Sequence, residues 1–323
     1  MRFVLPADVG DPAGPSGGNV YDLRVGAGMD HLLVAGTWPR PADTGPLEQT
    51  LAGIPDGEVV LVDGLVACGV PEVVVPHARR LRLVVLVHLP LADETGLDPA
   101  TARFLDGCER EVLRAASAVV ATSPAAARDI RIRHGLAAVH VVVPGTDPAP
   151  LATGTDGVHH LLCVASVTPR KGHDVLISAL RKVEADWRLT CVGPHGPFLR
   201  ELPRDERVSF TGPLTGEALT SAYDRADLFV LASRAETYGM VVTEALARGL
   251  PVIASAVPDA LGDGGLLVRS GDVSAWEGAL TCWFNDQRFR DELRARARSR
   301  RRSLSTWDVS TEDLRRVLAT LPP

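Results

Sequence analysis

Residues Ala232–Ser255 read ASRAETYGMVVTEALARGLPVIAS. The apolar run Asp227–Leu231 before them has strand length, and Pro251–Ala254 restarts as a strand. In between, Val241, Ala245 and Leu246 recur at helical spacing and Gly249 stands where a helix would stop. Strand, loop, helix and strand make one βα unit of a parallel sheet. Glu236 falls in the loop and Glu244 in the helix, with Gly239 between them. A helix opening near Tyr238–Gly239 aims free backbone N–H groups and positive dipole at the loop, which suits an anion. Gly239 lets a ligand approach the backbone closely. Two carboxylates flanking that point accept hydrogen bonds from hydroxyls on either side of a phosphate. Hydroxyl, phosphate, hydroxyl is the chemistry of a sugar nucleotide.

The 323 residues allow two domains of ordinary size, and 46% apolar with 23% charged residues is normal for a globular protein. A net charge of −6 argues against nucleic acid as the main partner. Five cysteines (Cys68, Cys108, Cys163, Cys191, Cys282) are scattered without C-x-x-C spacing, so reduced core thiols of a cytoplasmic protein are expected. No apolar run reaches the length of a membrane span, and Met1–Gly10 reads as entering a strand at once, so no signal peptide is expected.

Short runs rich in Val and Leu alternate with helix-length stretches. Arg2–Leu5, Leu32–Ala35, Glu58–Asp63, Leu83–His88, Ala118–Thr122 and Val139–Val143 are expected strands, with helices over 102–116 and 125–134. Pro144–Gly157 (PGTDPAPLATGTDG) reads as a linker. The pattern then repeats, with strands at His159–Ala165, Arg188–Val192, Val208–Thr211, Asp227–Leu231, Val252–Ala254 and Gly265–Val268. The helices expected there are Asp174–Val183, Gly216–Asp224, Met240–Ala247 and Val273–Phe284. The prediction is α/β, two Rossmann-like doubly wound domains over 1–150 and 151–305. Ser310 is expected to cap a last helix within 306–323, whose Leu314, Val317, Leu318 and Leu321 form one stripe that must be buried. Eight arginines among acidic partners in Asp286–Arg302 read as a solvated helix face, with peripheral contact to anionic lipid through 288–302 as the lesser alternative.

Three further stretches carry chemistry. Leu162–Asp174 (LCVASVTPRKGHD) ends a strand, passes adjacent Arg170 and Lys171, and opens a helix after Gly172, a fit for a pyrophosphate. Gly10–Tyr21 (GDPAGPSGGNVY) follows the first strand, and Gly17 and Gly18 at a helix start can bring amides close to a phosphate. His88 ends an apolar strand, where open α/β sheets bind ligands. Each stretch also has a plain structural reading: a basic loop, a βα turn, a histidine satisfied by backbone. Two patterns are decoys. G-x-S-x-G at Gly14–Gly18 follows a long loop instead of a sharp turn, and Gly26-Ala27-Gly28 continues to His31, not glycine. Neither a metal-spaced histidine set nor a D-x-D occurs.

Together these motifs resemble those of the retaining glycosyltransferases of family 4, with its E-x7-E motif (Glu236, Glu244). The resemblance is strong from Leu162 to Val268 and weaker before Pro144. It implies a glycosyltransferase-B fold, two Rossmann-like domains facing across a cleft, with the acceptor side in the first, the donor nucleotide sugar in the second, and the last helix crossing back to the first. It places Glu236 by the donor sugar and Glu244 on the ribose. Backbone amides of Tyr238, Gly239 and Met240, and the pair Gly17 and Gly18, would meet the sugar or diphosphate. Lys171 matches the diphosphate lysine and His88 the histidine near the reacting centre. The catalytic set is then His88, Lys171 and Glu236, with no metal and no cofactor beyond a nucleoside diphosphate sugar. The family's strand-end Gly-Arg is here Ala165–Ser166, so a second cation is absent or comes from Arg170. The implied reaction moves a sugar to an acceptor that the sequence does not identify. A nucleotide-sugar epimerase or hydrolase, or a non-catalytic sugar-nucleotide sensor, are the rival readings.

Overall fold

The computed structural model describes residues 1–11 and 16–321 and divides the chain into two compact units. One is Met1–Gly145 with Thr306–Pro323, and the other is Thr146–Ser305. The division falls inside the Pro- and Gly-rich stretch read as a linker.

The first unit carries six parallel strands: β1 (Arg2–Pro6), β2 (Asp30–Val34), β3 (Val59–Asp63), β4 (Arg82–Val87), β5 (Ala118–Ala121) and β6 (His140–Val141). Their order is β2-β1-β3-β4-β5-β6, which begins as the 2-1-3-4-5 order of doubly wound sheets. The central strands are buried on both faces because helices cover both, so VVLVD and RLVVLV are continuous apolar runs and not alternating ones. Expected as five residues, β6 pairs over only two, Val120 with His140 and Ala121 with Val141. Helices Gly45–Ala52 and Pro71–His77 each carry Pro in the first turn, where its missing N–H costs nothing.

The helix Trp307–Ala319 belongs to this unit and buries Leu314 and Leu318. Ser310 does not cap it. The N-cap is Thr306, and Ser310 lies one turn inside, its hydroxyl donating to Val143 O at 2.7 Å. Trp307 packs edge-on to Tyr21, and the Arg24 guanidinium lies 5.2 Å above the Trp307 ring.

The second unit also has six parallel strands: β7 (His160–Val164), β8 (Arg188–Val192), β9 (Val208–Gly212), β10 (Leu228–Leu231), β11 (Val252–Ala254) and β12 (Leu266–Leu267). The order β12-β11-β10-β7-β8-β9 is the Rossmann order 3-2-1-4-5-6 read from the other edge. The arginine-rich segment forms the helix Gln287–Arg301, capped by Asp286. Its arginines are not simply a solvated face. Arg290 donates to Trp283 O and Phe284 O, Arg294 to Gly157 O, and Arg301 to Ala149 O. They tie the helix to carbonyls left open elsewhere in the unit. Four cysteines are buried as expected; Cys282 is exposed. No helix among the described residues is long and apolar enough to cross a membrane.

Candidate functional site

Open α/β sheets bind ligands beyond the carboxyl ends of their strands, where the strand order reverses. In the second unit the reversal lies between β7 and β10, so the loops after those strands frame the site. The loop after β7 closes in a single 3-10 turn, Pro169–Lys171, ended by Gly172 at φ 67°. A Cβ on Gly172 would come within 2.1 Å of Ala232 O, so the turn is pressed on the end of β10 and only glycine fits. Arg234 N donates to Arg170 O at 2.7 Å, and the Arg234 guanidinium clasps Asp174 at 2.9 and 2.6 Å.

This turn aims Arg170 and Lys171 at one carboxylate. Lys171 Nζ lies 2.5 Å from Glu236 Oε1, and Arg170 Nη1 lies 3.7 Å from Glu236 Oε2. Ser233 Oγ donates to Glu236 Oε1 at 2.7 Å, while Ser255 and Ser270 donate to Ser233 O. Glu236 is nearly buried, its side chain 8% exposed. Two cations on one anion leave a net positive charge at the carboxyl end of the sheet, where an anionic ligand would complete the balance. Sequence reasoning singled out all three residues but missed that they pair with one another, and it missed the serine brace.

The helix Met240–Ala247 opens at Gly239, whose φ is 96°. A Cβ there would meet Val257 Cγ1 at 2.6 Å. Tyr238 is buried just before it, and Met240 is the first helical residue, so free N–H groups of the first turn follow Gly239 directly. Glu244, half-buried in this helix, accepts from Tyr223 Oη at 2.9 Å. Burial pushes its carboxyl pKa up, against the Tyr223 hydrogen bond and the Arg248 charge. Arg248 lies 4.5 Å above the Tyr223 ring and donates to Glu244 O, locking the three side chains into one arrangement. Tyr223, on the helix Gly216–Asp224, was not found from sequence. Its only signal was a single large aromatic ending an otherwise small-residue helix.

In the first unit the reversal lies between β1 and β3. Part of the glycine-rich loop, including Pro12, Gly14 and Pro15, lies outside the described residues. The helix Gly17–Val25 follows it and runs for nine residues. Gly18 is close-packed on His88, since a Cβ there would lie 3.3 Å from His88 Cγ. Gly26–Gly28 ends this helix in a turn and opens none.

His88 directly follows β4. Its Nε2 bonds Asp22 Oδ1 at 2.7 Å, and its ring meets Tyr21 edge-on at 5.4 Å. Asp22 is fully buried on the helix Gly17–Val25. Asp63, the last residue of β3, caps the short helix Gly64–Ala67 through Leu65 N at 2.7 Å. Asp22, Asp63 and His88 each bring a donor atom within 4.8 Å of the others. Two of their polar atoms bond each other and a third holds Leu65 N, so hydrogen bonds organise the cluster. The Asp63 carboxyl is pushed up to about 7 by burial and by the Asp22 charge. Burial works against the His88 imidazolium, yet the Asp22 and Asp63 charges and the Asp22 bond outweigh it and raise His88 to about 9. Neither aspartate was singled out from sequence, although Asp63 ends an apolar strand just as His88 does.

Residues 158–286 match the family model for glycosyl transferases group 1. The chain is 35% identical over 192 residues to a D-inositol 3-phosphate glycosyltransferase of Corynebacterium efficiens, covering 49% of this chain and 44% of that protein. It is 30% identical over 278 residues to the one from Corynebacterium aurimucosum, covering 75% and 65%. The matches thus span about half to two thirds of those two relatives. A sucrose-phosphate synthase from Thermosynechococcus elongatus aligns over 99% of this chain and 98% of its own, with TM-score 0.78 and 21% identity. HepE of Anabaena, crystallised with UDP and glucose, aligns over 99% of both chains with TM-score 0.76 and 17% identity. The fold is therefore that of the glycosyltransferase-B enzymes, and residues 158–286 are similar to the glycosyl transferases group 1.

Proposed function

We propose that this protein is a retaining glycosyltransferase that moves a sugar from a nucleoside diphosphate sugar to an acceptor without a metal ion. The observation that carries the reading is the convergence of Lys171 and Arg170 on Glu236 at the β7/β10 reversal. A diphosphate adds negative charge beside two cations that one carboxylate only half neutralises. As the bond to the sugar breaks, charge builds on the leaving diphosphate, and preorganised cations stabilise that charge most. Glu236, held by Lys171 and Ser233, meets the sugar hydroxyls. The N–H groups after Gly239 receive sugar or diphosphate oxygens. Glu244, oriented by Tyr223, takes the ribose hydroxyls, and His88 serves the sugar at the reacting centre.

Retention rests on the resemblance of Glu236 and Glu244 to the E-x7-E motif of the retaining family, in whose reaction the departing phosphate deprotonates the acceptor on the face it leaves, so that no protein base is required. UDP-glucose is the first donor to test, because HepE was crystallised with it. D-inositol 3-phosphate is the first acceptor to test, because several relatives are named for it. The test measures release of nucleoside diphosphate from UDP-, GDP- and ADP-sugars with and without acceptor, and reads the anomeric configuration of the product by NMR. Acceptor-dependent release with an axial donor linkage kept in the product supports the transferase. Release without acceptor makes it a hydrolase, and tight binding without turnover makes it a sensor. An inverted product overturns retention.

A further inference from the structure

Asp22 poses a problem of hydrogen bonding. It is fully buried, its Oδ1 holds His88, and its Oδ2 is buried with no donor among the described residues. A carboxylate oxygen left bare in such a place is costly. The group beside it is another carboxyl, Asp63, nearly buried and fixed in place by Leu65 N. The backbone beside it is set against the neighbouring strand, because Gly64 is packed so that a Cβ would lie 2.8 Å from Leu86 O. One proton on Asp63 solves the problem. It gives Asp22 Oδ2 its donor and removes the repulsion between two carboxylates.

We infer that Asp22 and Asp63 are positioning residues for His88: a protonated Asp63 donates to Asp22 Oδ2, and Asp22 Oδ1 takes the Nε2–H of His88, leaving Nδ1 as the ring nitrogen that meets the ligand. The chain Asp63–Asp22–His88 then fixes the ring plane of the histidine and, once the ring is neutral, its Nε2–H tautomer. With both ring nitrogens protonated, Nδ1–H is a donor to a sugar oxygen, and His88 cannot act as a base. The charges sum to zero: a neutral acid, a carboxylate and an imidazolium. Tyr21 and Gly18 press on the ring from the helix Gly17–Val25, and Cys68 is the other titratable group next to Asp63. The raised Asp63 and His88 values agree with this proton count. Above about pH 7 Asp63 loses its proton, Asp22 loses its donor, and the histidine is less firmly held.

That Nδ1 faces the sugar rests on the function proposed above; the triad itself does not, and the two can be tested apart. NMR of the full chain labelled with 15N-histidine, with His88 assigned from His88→Gln, reads tautomer and titration directly. The wild-type His88 should stay doubly protonated to about pH 9, with a smaller step near pH 7 from Asp63. Asp63→Asn should remove the step near 7, and Asp22→Asn should return His88 towards its ordinary value. A wild-type His88 that titrates at its ordinary value, or one unmoved by Asp22→Asn, overturns the triad. So does selective broadening of His88 by stoichiometric Mn²⁺, which would make the cluster a metal site. In the donor-release assay, Asp63→Ala should lower kcat about tenfold or more with little change in donor KM. Asp63→Asn, which offers Asp22 an amide N–H, should recover most of that loss and lack the decline above about pH 7. Equal losses in the two variants overturn the donor role of Asp63. A wild type that turns over no nucleotide sugar defeats the proposed function, and the NMR result still decides the triad.

Discussion

Lys171 Nζ and Glu236 Oε1 lie 2.5 Å apart, so the cation and the carboxylate chosen independently from two sequence motifs form one ion pair. In a site this enclosed the pair acts as a unit. Removing Glu236 takes from Lys171 its carboxylate, and removing Lys171 leaves Glu236 only Ser233 and the more distant Arg170, so either loss costs more than the pair contributes.

Lys171→Ala should therefore lower turnover by about a hundredfold or more, the scale for losing one preorganised charge-stabilising group. Arg170 adds a second expectation. Adjacent side chains of an extended loop point apart, but the turn at Pro169 brings Arg170 to 3.7 Å from Glu236 Oε2. On the proposed function Arg170 then supplies the cation that Ser166 lacks, and Arg170→Ala should cost about tenfold or more. Steady-state kinetics on both variants checks this. An Arg170→Ala enzyme with wild-type kcat would return the arginine to a purely structural role through Ala235 O.

Glu244→Ala and Tyr223→Phe separate binding from orientation. Losing the carboxylate removes charged hydrogen bonds to the ribose, worth roughly 1.5–3 kcal/mol of donor affinity. Tyr223→Phe keeps the carboxylate but frees its orientation and removes a bond that opposes the burial-driven rise of its pKa. Nucleotide affinity in Tyr223→Phe should weaken less at pH 8 than at pH 6, because a freer, more basic Glu244 is protonated first at the lower pH. Calorimetry at both pH values measures it. Unchanged affinity in Glu244→Ala would remove Glu244 from the site.

Much of this was legible in the chain, for a physical reason. Doubly buried parallel strands must be apolar throughout, so VVLVD, RLVVLV and LFVL announce themselves. Gly239 and Gly172 are likewise readable, because a left-handed turn before a helix excludes other residues. Side-chain partnerships made across the sheet were not. Tyr223 lies twenty-one positions before Glu244, and Asp22 sixty-six before His88, so no local spacing records them. Ser310 misled because a serine near a helix start is the usual cap. Here Thr306 takes that place and the Ser310 hydroxyl turns to Val143 O.

Gly172→Ala tests whether the 169–172 turn is as tightly set as it looks. The residue has φ 67°, and the new methyl would meet Ala232 O at 2.1 Å. The backbone must move, at a cost of at least about 1–3 kcal/mol in stability. Lys171 would move with it. Thermal unfolding should show the stability loss, and diphosphate affinity should fall in the same variant. A normal melting temperature with normal affinity would mean the turn is free to shift.

EDTA should leave activity intact, since on the proposed function the diphosphate charge is met by Lys171, Arg170 and the N–H groups after Gly239. Activity lost on chelation and restored by Mg²⁺ or Mn²⁺ would defeat the metal-free mechanism and turn attention to Asp22, Asp63 and His88.

The same three residues make folding stability depend on pH with a defined sign. Asp63 rises from 3.8 in the unfolded chain to about 7 in the fold, so the folded protein binds that proton more tightly. Wherever the native state holds more protons than the unfolded state, stability falls as pH rises. The Asp63 contribution is therefore fully present below about pH 4 and is lost as pH climbs through about 7. His88, raised from 6.5 to about 9, adds a second loss between those values. The two windows overlap, but a substitution separates them. Asp63→Asn keeps a donor for Asp22 with no proton to lose, so it should remove the part of the decline below about pH 7 and shrink without abolishing the part approaching pH 9, because Asp22 still raises His88 but the Asp63 charge no longer does. Urea unfolding midpoints from pH 5 to pH 9 for wild type and Asp63→Asn measure the difference directly. Parallel curves for the two proteins would mean that Asp63 is already ionised in the native state.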